Sequence, residues 1–467
     1  MQKTFGTILI SFFFLMWSLN LAYAQFTIQS NSYLEYAYDQ EREEQYFEDW
    51  TDLYVLYQNW RAGIRYEIHR PPFPFSQDHE SKNDLTQRFV EYRNSFMGIT
   101  VGNFYTLLGR GLVLRSFENR ILRWDNNIDG GKFEFYQRYV DLQILGGKPR
   151  DLQEHRKKTL FGGAANIKPF SIVRFGGTYL RTKLEEEGEV YWGSAFTGFN
   201  FNWGNFYFER AFKEFSDEAP EGKAYYFSGN VYVSSLTALL EYRKYQRYAL
   251  EEGSLSYNNP PSVVREHLYT LLNRNQLVQD AGDEEGYMIE VSYSLDDYGV
   301  LTLNHSRTED STNALIYREY YGQFEFDPFE NLNLVMGGGE QRDVAHRYLN
   351  FVGTGKWDFA GYHGIKAIFE HQHVKVLLND RQFYNQALAL SYESGGRFTL
   401  SLLSERTTDQ FSKKDYWIGG QLDVQLPFHI DLTVFGGSRR KGKICAGGIC
   451  IERPAFEGIE VRMIHRF

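Results

Sequence analysis

Hydrophobic and polar residues alternate along the last nine residues of the chain. From Ile459 to Phe467 every second residue falls on one side and is apolar except for His465, while the residues between them are mostly charged. Because successive side chains of a strand point to opposite faces, this alternation predicts a strand with one apolar and one charged face. A final strand that ends on an aromatic residue is typical of barrels whose last strand pairs with the first, so we predict that Phe467 takes part in barrel closure.

The same alternation recurs upstream, where one face of each segment suits lipid and the other a wet interior. It is clearest in four stretches: Thr197–Trp203, Ile289–Leu295, Ile418–Leu426 and Ile430–Val434. From Phe26 onward the pattern predicts about 24 strands, within a range of about 22 to 26.

The connections between these strands form two sets, one tight and one longer or more charged. The longer set follows odd-numbered strands: Arg70–Asp84, Thr106–Asp129, Gly147–Arg156, Phe215–Gly222, Ala249–Glu285, Thr308–Asn313, Thr407–Lys414 and Lys441–Pro454. This bias predicts an all-β fold, a transmembrane antiparallel up-and-down β-barrel with short periplasmic turns and longer extracellular loops.

Composition agrees with a barrel rather than with helices in a membrane. Aromatic residues make up 17% of the chain and only 11 residues are Pro, which suits strands and interfacial aromatic girdles. No internal apolar run reaches the length of about 18 residues that a membrane helix needs. A closed sheet has no unpaired edge, which is what hydrocarbon demands. No length remains for a separate plug domain, so we expect a water-filled lumen unless the loops fold into it.

The first 24 residues have the pattern of a secretory signal peptide. Lys3 supplies the positive start, Ile8–Trp17 the apolar core and Ala22-Tyr23-Ala24 the cleavage site, so the barrel domain is predicted to comprise residues 25–467. The alternative is an uncleaved anchor helix. Removal of Lys3 makes the net charge one unit more negative than −10, which argues against nucleic acid as a partner.

An arginine-rich block lies in the connection within Gly102–Tyr136. It is too long for a plain turn and could fold inward as a pore constriction, where guanidinium groups attract anions. The alternative is that its arginines pair with acids on the barrel wall or face water. The candidate constriction residues are Arg110, Arg115, Arg120, Arg123 and Glu118.

Two patterns suggest metal ligands, and neither predicts a metal site. Asp125–Gly130 resembles the start of a calcium loop, but Tyr136 stands where the bidentate Glu is needed, so a polar turn is the better interpretation. His371 and His373 share a face of one strand without a third ligand, and we expect them to be solvated or paired on the lumen wall.

Two further loops have distinct chemistry. Cys445 and Cys450 are the only cysteines and are predicted to form a disulfide that pins the loop before the final strand. In Ala249–Glu285 the sequence predicts a short helix from Ser262 to about Asn273, capped by Ser262, in either a ligand-contacting lid or an ordered outer loop.

Several of these stretches together resemble an uncharacterised, domain-of-unknown-function family of Gram-negative outer-membrane β-barrels. The resemblance covers nearly the whole mature chain and implies fold and location, but no activity, ligand or catalytic residue. It is carried by Gly102-Asn103-Phe104-Tyr105, Gly109, Gly111-Leu112, Asp125-Asn126, Asp129-Gly130, Asn258-Asn259-Pro260-Pro261, His267, Tyr269–Arg274, Glu284, Gly286-Tyr287, Cys445–Cys450 and Pro454–Gly458.

We expect a porin-like channel for small polar solutes in the bacterial outer membrane, with lipid and, during insertion, the barrel-assembly machinery as partners. The chain has no Gly-x-Ser-x-Gly, His-Glu-x-x-His or phosphate-cradling motif, so we predict no enzyme, catalytic residue or cofactor. The main alternative is a non-enzymatic barrel that scaffolds or binds within an assembly, secretion or surface-display complex. A third hypothesis, a hydrolase or lipid-modifying enzyme, is supported only by abundant loop acids and histidines.

Overall fold

The computed structural model is dominated by one antiparallel sheet of 24 strands. It describes residues 26–74, 81–150, 158–184, 188–215, 221–248, 251–252, 255–256, 258–259, 261–274, 283–446 and 449–467. The predicted signal peptide and its cleavage site lie outside these residues.

The 24 strands of the sheet are numbered β1 to β24 in chain order. Their bounds are Phe26–Asp39, Glu44–Tyr57, Trp60–His69, Lys82–Arg93, Met97–Phe104, Ile128–Tyr136, Val140–Pro149, Leu160–Phe170, Val173–Leu184, Gly188–Phe201, Gly204–Phe215, Gly222–Val233, Leu236–Gln246, Asp283–Ser294, Val300–Asp310, Leu315–Phe329, Leu332–Asp343, His346–Phe359, His363–Val376, Gln382–Ser394, Phe398–Thr407, Tyr416–Leu426, Ile430–Arg439 and Phe456–Arg466.

Each strand pairs with its neighbours in sequence, and the sheet closes on itself. The last strand, β24, pairs with β23 on one side and with β1 on the other, in a register that runs from Asn31 opposite Arg466 to Asp39 opposite Gly458. At the end of the seam Ser30 and Phe467 exchange two backbone hydrogen bonds of 2.8 Å each. The predicted closed antiparallel barrel is therefore confirmed, and Phe467 lies at its seam.

The alternation of side chains gives the barrel an apolar exterior and a polar interior. On β21, Leu400 and Leu402 are 54% and 53% exposed, whereas the intervening Ser401 is buried. On β24, Ile459 and Met463 share the outward face, and Glu460 between them points inward. An apolar outer surface around a closed wall is what contact with lipid requires.

The connections differ in length at the two ends of the barrel. Those after even-numbered strands are short turns such as residues 58–59, 171–172 and 234–235, whereas the longest, residues 105–127, 247–282 and 440–455, follow odd-numbered strands. Three of the long connections contain small two-stranded ribbons. Among the described residues no helix is both long and apolar enough to cross a membrane.

Candidate functional site: the lumen and its in-folded connections

The inner wall of the barrel carries a set of buried carboxylates. The acidic residues that are at most 4% exposed, counted over the whole residue, are Glu35, Asp39, Glu48, Asp52, Glu67, Glu209, Glu284, Glu319, Glu370 and Glu460. A buried charge is costly unless it is paired and hydrogen-bonded. Most of these carboxylates find partners in connections that fold back into the lumen, so the wall and the connections must be described together.

Residues 105–127, which we call the first insert, fold against the inner wall. The guanidinium of Arg123 bridges Glu35 on β1 and Glu48 on β2, with a Nε–Oε2 distance of 3.1 Å to Glu48. It also lies 5.5 Å from the ring centroid of Trp50 and 5.0 Å from that of Phe73. Arg123 therefore connects the first insert to both strands of the first hairpin, β1 and β2.

In a second ion pair of the first insert the roles are reversed: the arginine belongs to the wall and the carboxylate to the insert. Arg65 on β3 donates two hydrogen bonds to Glu118, of 2.8 and 2.9 Å, and a third of 2.6 Å to Asp52. Arg120 completes the cluster by bonding to both Asp52 and Glu118. Alternating acids and guanidinium groups compensate each other's burial here.

Asp125 anchors the end of the first insert. Its carboxylate accepts hydrogen bonds from Arg150 at 2.9 Å, Gln87 at 2.9 Å and the Tyr105 hydroxyl at 3.1 Å. Burial alone would raise the pKa of Asp125, but the guanidinium groups of Arg150 and Arg65 hold it below its usual range. The carboxylate is fully engaged by protein groups, in agreement with a polar turn rather than a calcium loop.

The other limb of the first insert is apolar and packs on a different part of the wall. Leu108, Leu112 and Val113 are fully buried in a core that also contains Leu180 on β9 and Trp192 on β10. This limb therefore buries the inner face of several strands that would otherwise face the lumen.

Arg110 and Arg115 make different contacts from the other two arginines. The Arg110 backbone N–H donates to Glu209 on β11 at 3.0 Å, and its guanidinium lies 4.9 Å from the ring centroid of Tyr207. The Arg115 guanidinium lies 4.6 Å from the ring of Phe117, and burial lowers its pKa. All four arginines thus lie inside the barrel. Whether they form the narrowest point stays a prediction.

Residues 258–259 and 261–274, which we call the second insert, follow the inner wall on the other side. Arg265 pairs with Glu290 on β14, and His267 Nε2 lies 2.8 Å from Glu319 Oε1 on β16. Arg274 donates two hydrogen bonds to Glu405 on β21, of 2.5 and 2.8 Å. The second insert therefore spans the wall from β14 to β21.

The predicted helix from Ser262 is wrong for most of its length. The helix comprises only Thr270–Asn273, and its N-cap is Tyr269 without a side-chain cap. The backbone N–H groups of Thr270 and Leu271 donate to Glu370 on β19, at 2.9 and 2.7 Å. Upstream the chain is irregular because its side chains bond in turn to successive wall strands, which a compact helix could not reach.

The two inserts touch each other inside the barrel. Asn258 Nδ2 donates a 3.0 Å hydrogen bond to the Leu112 carbonyl. Gly111, with a φ of +85°, lies so close to Asn259 that a Cβ atom would stand 2.7 Å from the Asn259 carbonyl oxygen. Together the inserts line the inner wall from β1 to β21.

The remaining residues singled out from the sequence have the following places. Cys445 and Cys450 are directly opposite in the backbone register of a small ribbon. Their side chains lie outside the described part of the structure, so the disulfide stays a prediction.

His371 and His373 do not lie on the lumen wall. They share the outward face of β19 with Phe369, and their ring nitrogens lie 3.2 and 3.1 Å from the side chains of Gln386 and Gln382. Among the described residues no three His, Cys, Asp or Glu side chains cluster as a metal site would need.

The fold and the lumen define a closed, membrane-spanning β-barrel whose interior is lined by its own connections. The chain belongs to the family of unknown function DUF6029, which matches residues 1–314. The predicted membership of an uncharacterised barrel family is confirmed. No curated protein is similar enough to match the chain.

Several solved structures share the barrel architecture at low similarity. The P pilus usher PapC translocation pore is 12% identical, with a TM-score of 0.49 over 95% of this chain and 99% of that chain. The siderophore receptor PirA from Pseudomonas aeruginosa is 8% identical, with a TM-score of 0.45 over 94% and 80%. A BenF-like porin from Pseudomonas fluorescens Pf-5 is 11% identical, with a TM-score of 0.39 over 68% and 94%. These similarities carry no information on activity.

Proposed function

We propose that the protein is an outer-membrane channel for small polar solutes, narrowed by its first and second inserts. The observation that carries the proposal is the interior of the barrel: 24 strands enclose it, and inward-facing polar residues such as Arg466 and Asp431 stay exposed where the inserts do not reach. Strands about 4.8 Å apart and tilted by about 40° give a circumference of about 150 Å and a diameter of about 48 Å. Side chains of the wall alone cannot fill that width.

The half of the lumen near the short turns supports a water-filled path. Arg466 and Asp431 face inward at this end and are 58% and 39% exposed, although they form an ion pair with a 2.6 Å Nη1–Oδ2 distance. Thr399, Asp423 and Thr433 are inward-facing and incompletely buried as well. The inserts bury the inner wall only towards the long connections, so we infer a wide vestibule that leads to a narrowed zone. We place the long connections outside the cell and the short turns in the periplasm.

The proposal is tested by solute flux into liposomes that contain the purified barrel. Swelling in an isosmotic pentose should exceed that of protein-free liposomes, and swelling in a larger oligosaccharide should be much slower because the inserts narrow the path. Protein that is folded by heat-modifiable gel migration yet gives no swelling with the pentose would contradict a channel.

The absence of a recognisable catalytic constellation in the sequence supports a non-enzymatic role. Several buried acids of the wall are engaged by arginines and backbone N–H groups, as at Glu48, Asp52 and Glu370. A carboxylate held in this way has no free position to act on a substrate proton. We therefore attribute the wall acids to anchoring of the inserts.

A further inference from the structure

A cavity of about 360 Å³ opens on the inner wall between β19 and β23, beneath the end of the second insert. Its charged lining consists of five basic residues, Arg274, Arg439, Arg440, Lys443 and Arg453, and two acidic ones, Glu370 and Glu405. The excess of basic residues contrasts with the formal net charge of −10 for the whole chain. A cationic cavity in an acidic protein indicates a local function.

Carboxylates at this cavity are shared between guanidinium groups. Glu405 Oε1 accepts from both Arg274 at 2.5 Å and Arg440 at 3.0 Å. Glu460, behind the cavity wall, accepts from both Arg439 and Arg453 at 2.8 to 3.0 Å. Each of these carboxylates carries one negative charge and is shared by two guanidinium groups, so positive charge is in excess here.

Burial increases the cost of this excess positive charge. Burial and then the neighbouring Arg274 guanidinium lower the pKa of Arg440, which lies beyond the end of β23. The guanidinium of Arg440 also lies 5.2 Å from the ring centroid of Trp417, which fixes its orientation. An anion in the cavity would compensate this charge without any rearrangement of the protein.

A second cavity of about 480 Å³ adjoins the first and extends it towards the long connections. The two cavities share Trp417, Arg439 and Arg440 in their linings. The second cavity also has an excess of basic residues, six against two acidic ones, and includes Lys413 and Lys414. Adjoining basic linings would attract an anion and guide it from the outer end into the first cavity.

Most of the uncharged lining of the first cavity is apolar and includes Ile368, Leu403 and Phe435. The uncharged polar lining residues are Thr270, Ser404, Gln421 and Ser438. Apolar walls with a few convergent charged groups are characteristic of small-molecule sites. They also lower the local dielectric constant, which strengthens the attraction of a guanidinium group for an anion.

We propose that this cavity binds a small organic anion that carries carboxylate or phosphate groups, through Arg274, Arg439 and Arg440. If the protein is the proposed channel, this site indicates that its solutes are small organic anions. Only the statement that such anions pass through the barrel rests on the proposed function. Binding itself requires no transport, so the two statements can fail separately.

The test is calorimetric titration of the full-length barrel in detergent with citrate and with inorganic phosphate, using sucrose as the uncharged reference. We expect saturable binding of citrate or phosphate and none of sucrose. The Arg439→Gln, Arg440→Gln double variant should bind the anion at least about 10-fold more weakly, which corresponds to about 1.4 kcal/mol. Arg466→Gln is the matched control, because Arg466 also faces the lumen but lies outside both cavities.

A second variant is expected to bind the anion more tightly, which damage to the fold would not produce. Glu405→Gln removes the carboxylate that competes with an anion for Arg274 and Arg440, so citrate should bind more tightly than to the wild type. Three results would overturn the site: weaker or unchanged binding of citrate to Glu405→Gln, equal binding to the arginine double variant and the Arg466→Gln control, or no saturable binding of either anion. Anion binding without solute flux would keep the site and refute the channel. Solute flux without anion binding would keep the channel and refute the site.

Discussion

Arg123 connects the first insert to the barrel wall through two ion pairs that are buried, unlike a surface ion pair. Its side chain is 5% exposed, and its two carboxylate partners, Glu35 and Glu48, are 6% and 0% exposed. In such surroundings the loss of one partner leaves uncompensated buried charge, which costs much more than the pair itself contributes.

We predict that Arg123→Ala releases the first insert without unfolding the barrel. Leaving two wall carboxylates without their guanidinium costs about 3–5 kcal/mol. Hydrogen exchange of the amides of residues 118–124 should accelerate by about 100-fold or more, because opening re-solvates the acids. Arg138→Ala, in a short turn at the other end of the barrel, is the control. Equal protection in the two variants would contradict the anchoring role of Arg123.

The lowered pKa of Asp125 predicts an acid-sensitive anchor. Because its pKa is lower in the folded state, its contribution to stability is present above the unfolded value of about 3.9 and is lost as the pH falls through the folded value. Proteolysis of the first insert by an acid-active protease should therefore increase as the pH falls below about 4. In Asp125→Asn a protease that is active at neutral pH should cleave the insert as well, and the increase in cleavage on acidification should be smaller than in the wild type. If acidification increases cleavage of Asp125→Asn as much as that of the wild type, the acid sensitivity belongs to another titratable group.

The partners of individual arginines could not be predicted from the sequence. The alternation along β1 and β2 places Glu35 and Glu48 on the inward face of their strands, but Arg123 is 88 and 75 residues away from them in the chain. Contacts at that separation depend on how the connection folds inward, and local periodicity carries no information about it. The sequence left wall pairing and pore constriction open, and the structure shows wall pairing for Arg120 and Arg123.

At the scale of single elements, strands were predictable and the inserts were not. The period of two is a local property, so β24 and the outward face of Ile459 followed from the sequence alone. The same parity could have placed His371 on the exterior, because it shares a face with Phe369. The predicted helix of the second insert was wrong because wall contacts, such as that of His267 with Glu319, override local helix preference.

Gly102 shapes the strand from which the first insert emerges. Its φ of +101° is rarely adopted by other residues, and a Cβ atom there would stand 2.2 Å from the Arg88 carbonyl oxygen on β4. The clash is with backbone, which cannot rotate away. The first insert therefore begins next to a position that accepts only glycine.

We predict that Gly102→Ala destabilises the barrel by about 2 kcal/mol or more, since backbone strain alone costs about 1–3 kcal/mol. The measurement is the urea midpoint of unfolding in lipid or detergent. Gly131→Ala is the matched control: Gly131 lies on neighbouring β6, and a Cβ atom added there would have no neighbour within 4 Å. Equal midpoints for the two variants would show that the strand tolerates a side chain at Gly102.

At the scale of the whole molecule, the two inserts pack inside a wide barrel and cover much of its inner wall. The first insert covers the wall near β1 to β3 through Arg123 and Arg65, and near β9 to β11 through its apolar limb. The second insert continues to β21. The sequence predicted the possible infolding of the arginine block, but it left the second insert open between a lid and an outer loop. The sequence did not predict the place of the second insert because that place depends on the wall acids. Their distribution around the barrel is known only once the register of the strands is known.

Single-channel conductance in a planar bilayer tests the central claim, that in-folded connections narrow a continuous lumen. The comparison is between the wild type and a variant in which Arg110–Arg123 is replaced by a short Gly–Ser linker. Removal of the insert also lets water reach the wall acids, so the barrel should remain folded. We expect discrete steps for the wild type and steps several-fold larger for the variant. Steps of equal size, or no conductance above background from either folded protein, would contradict the account.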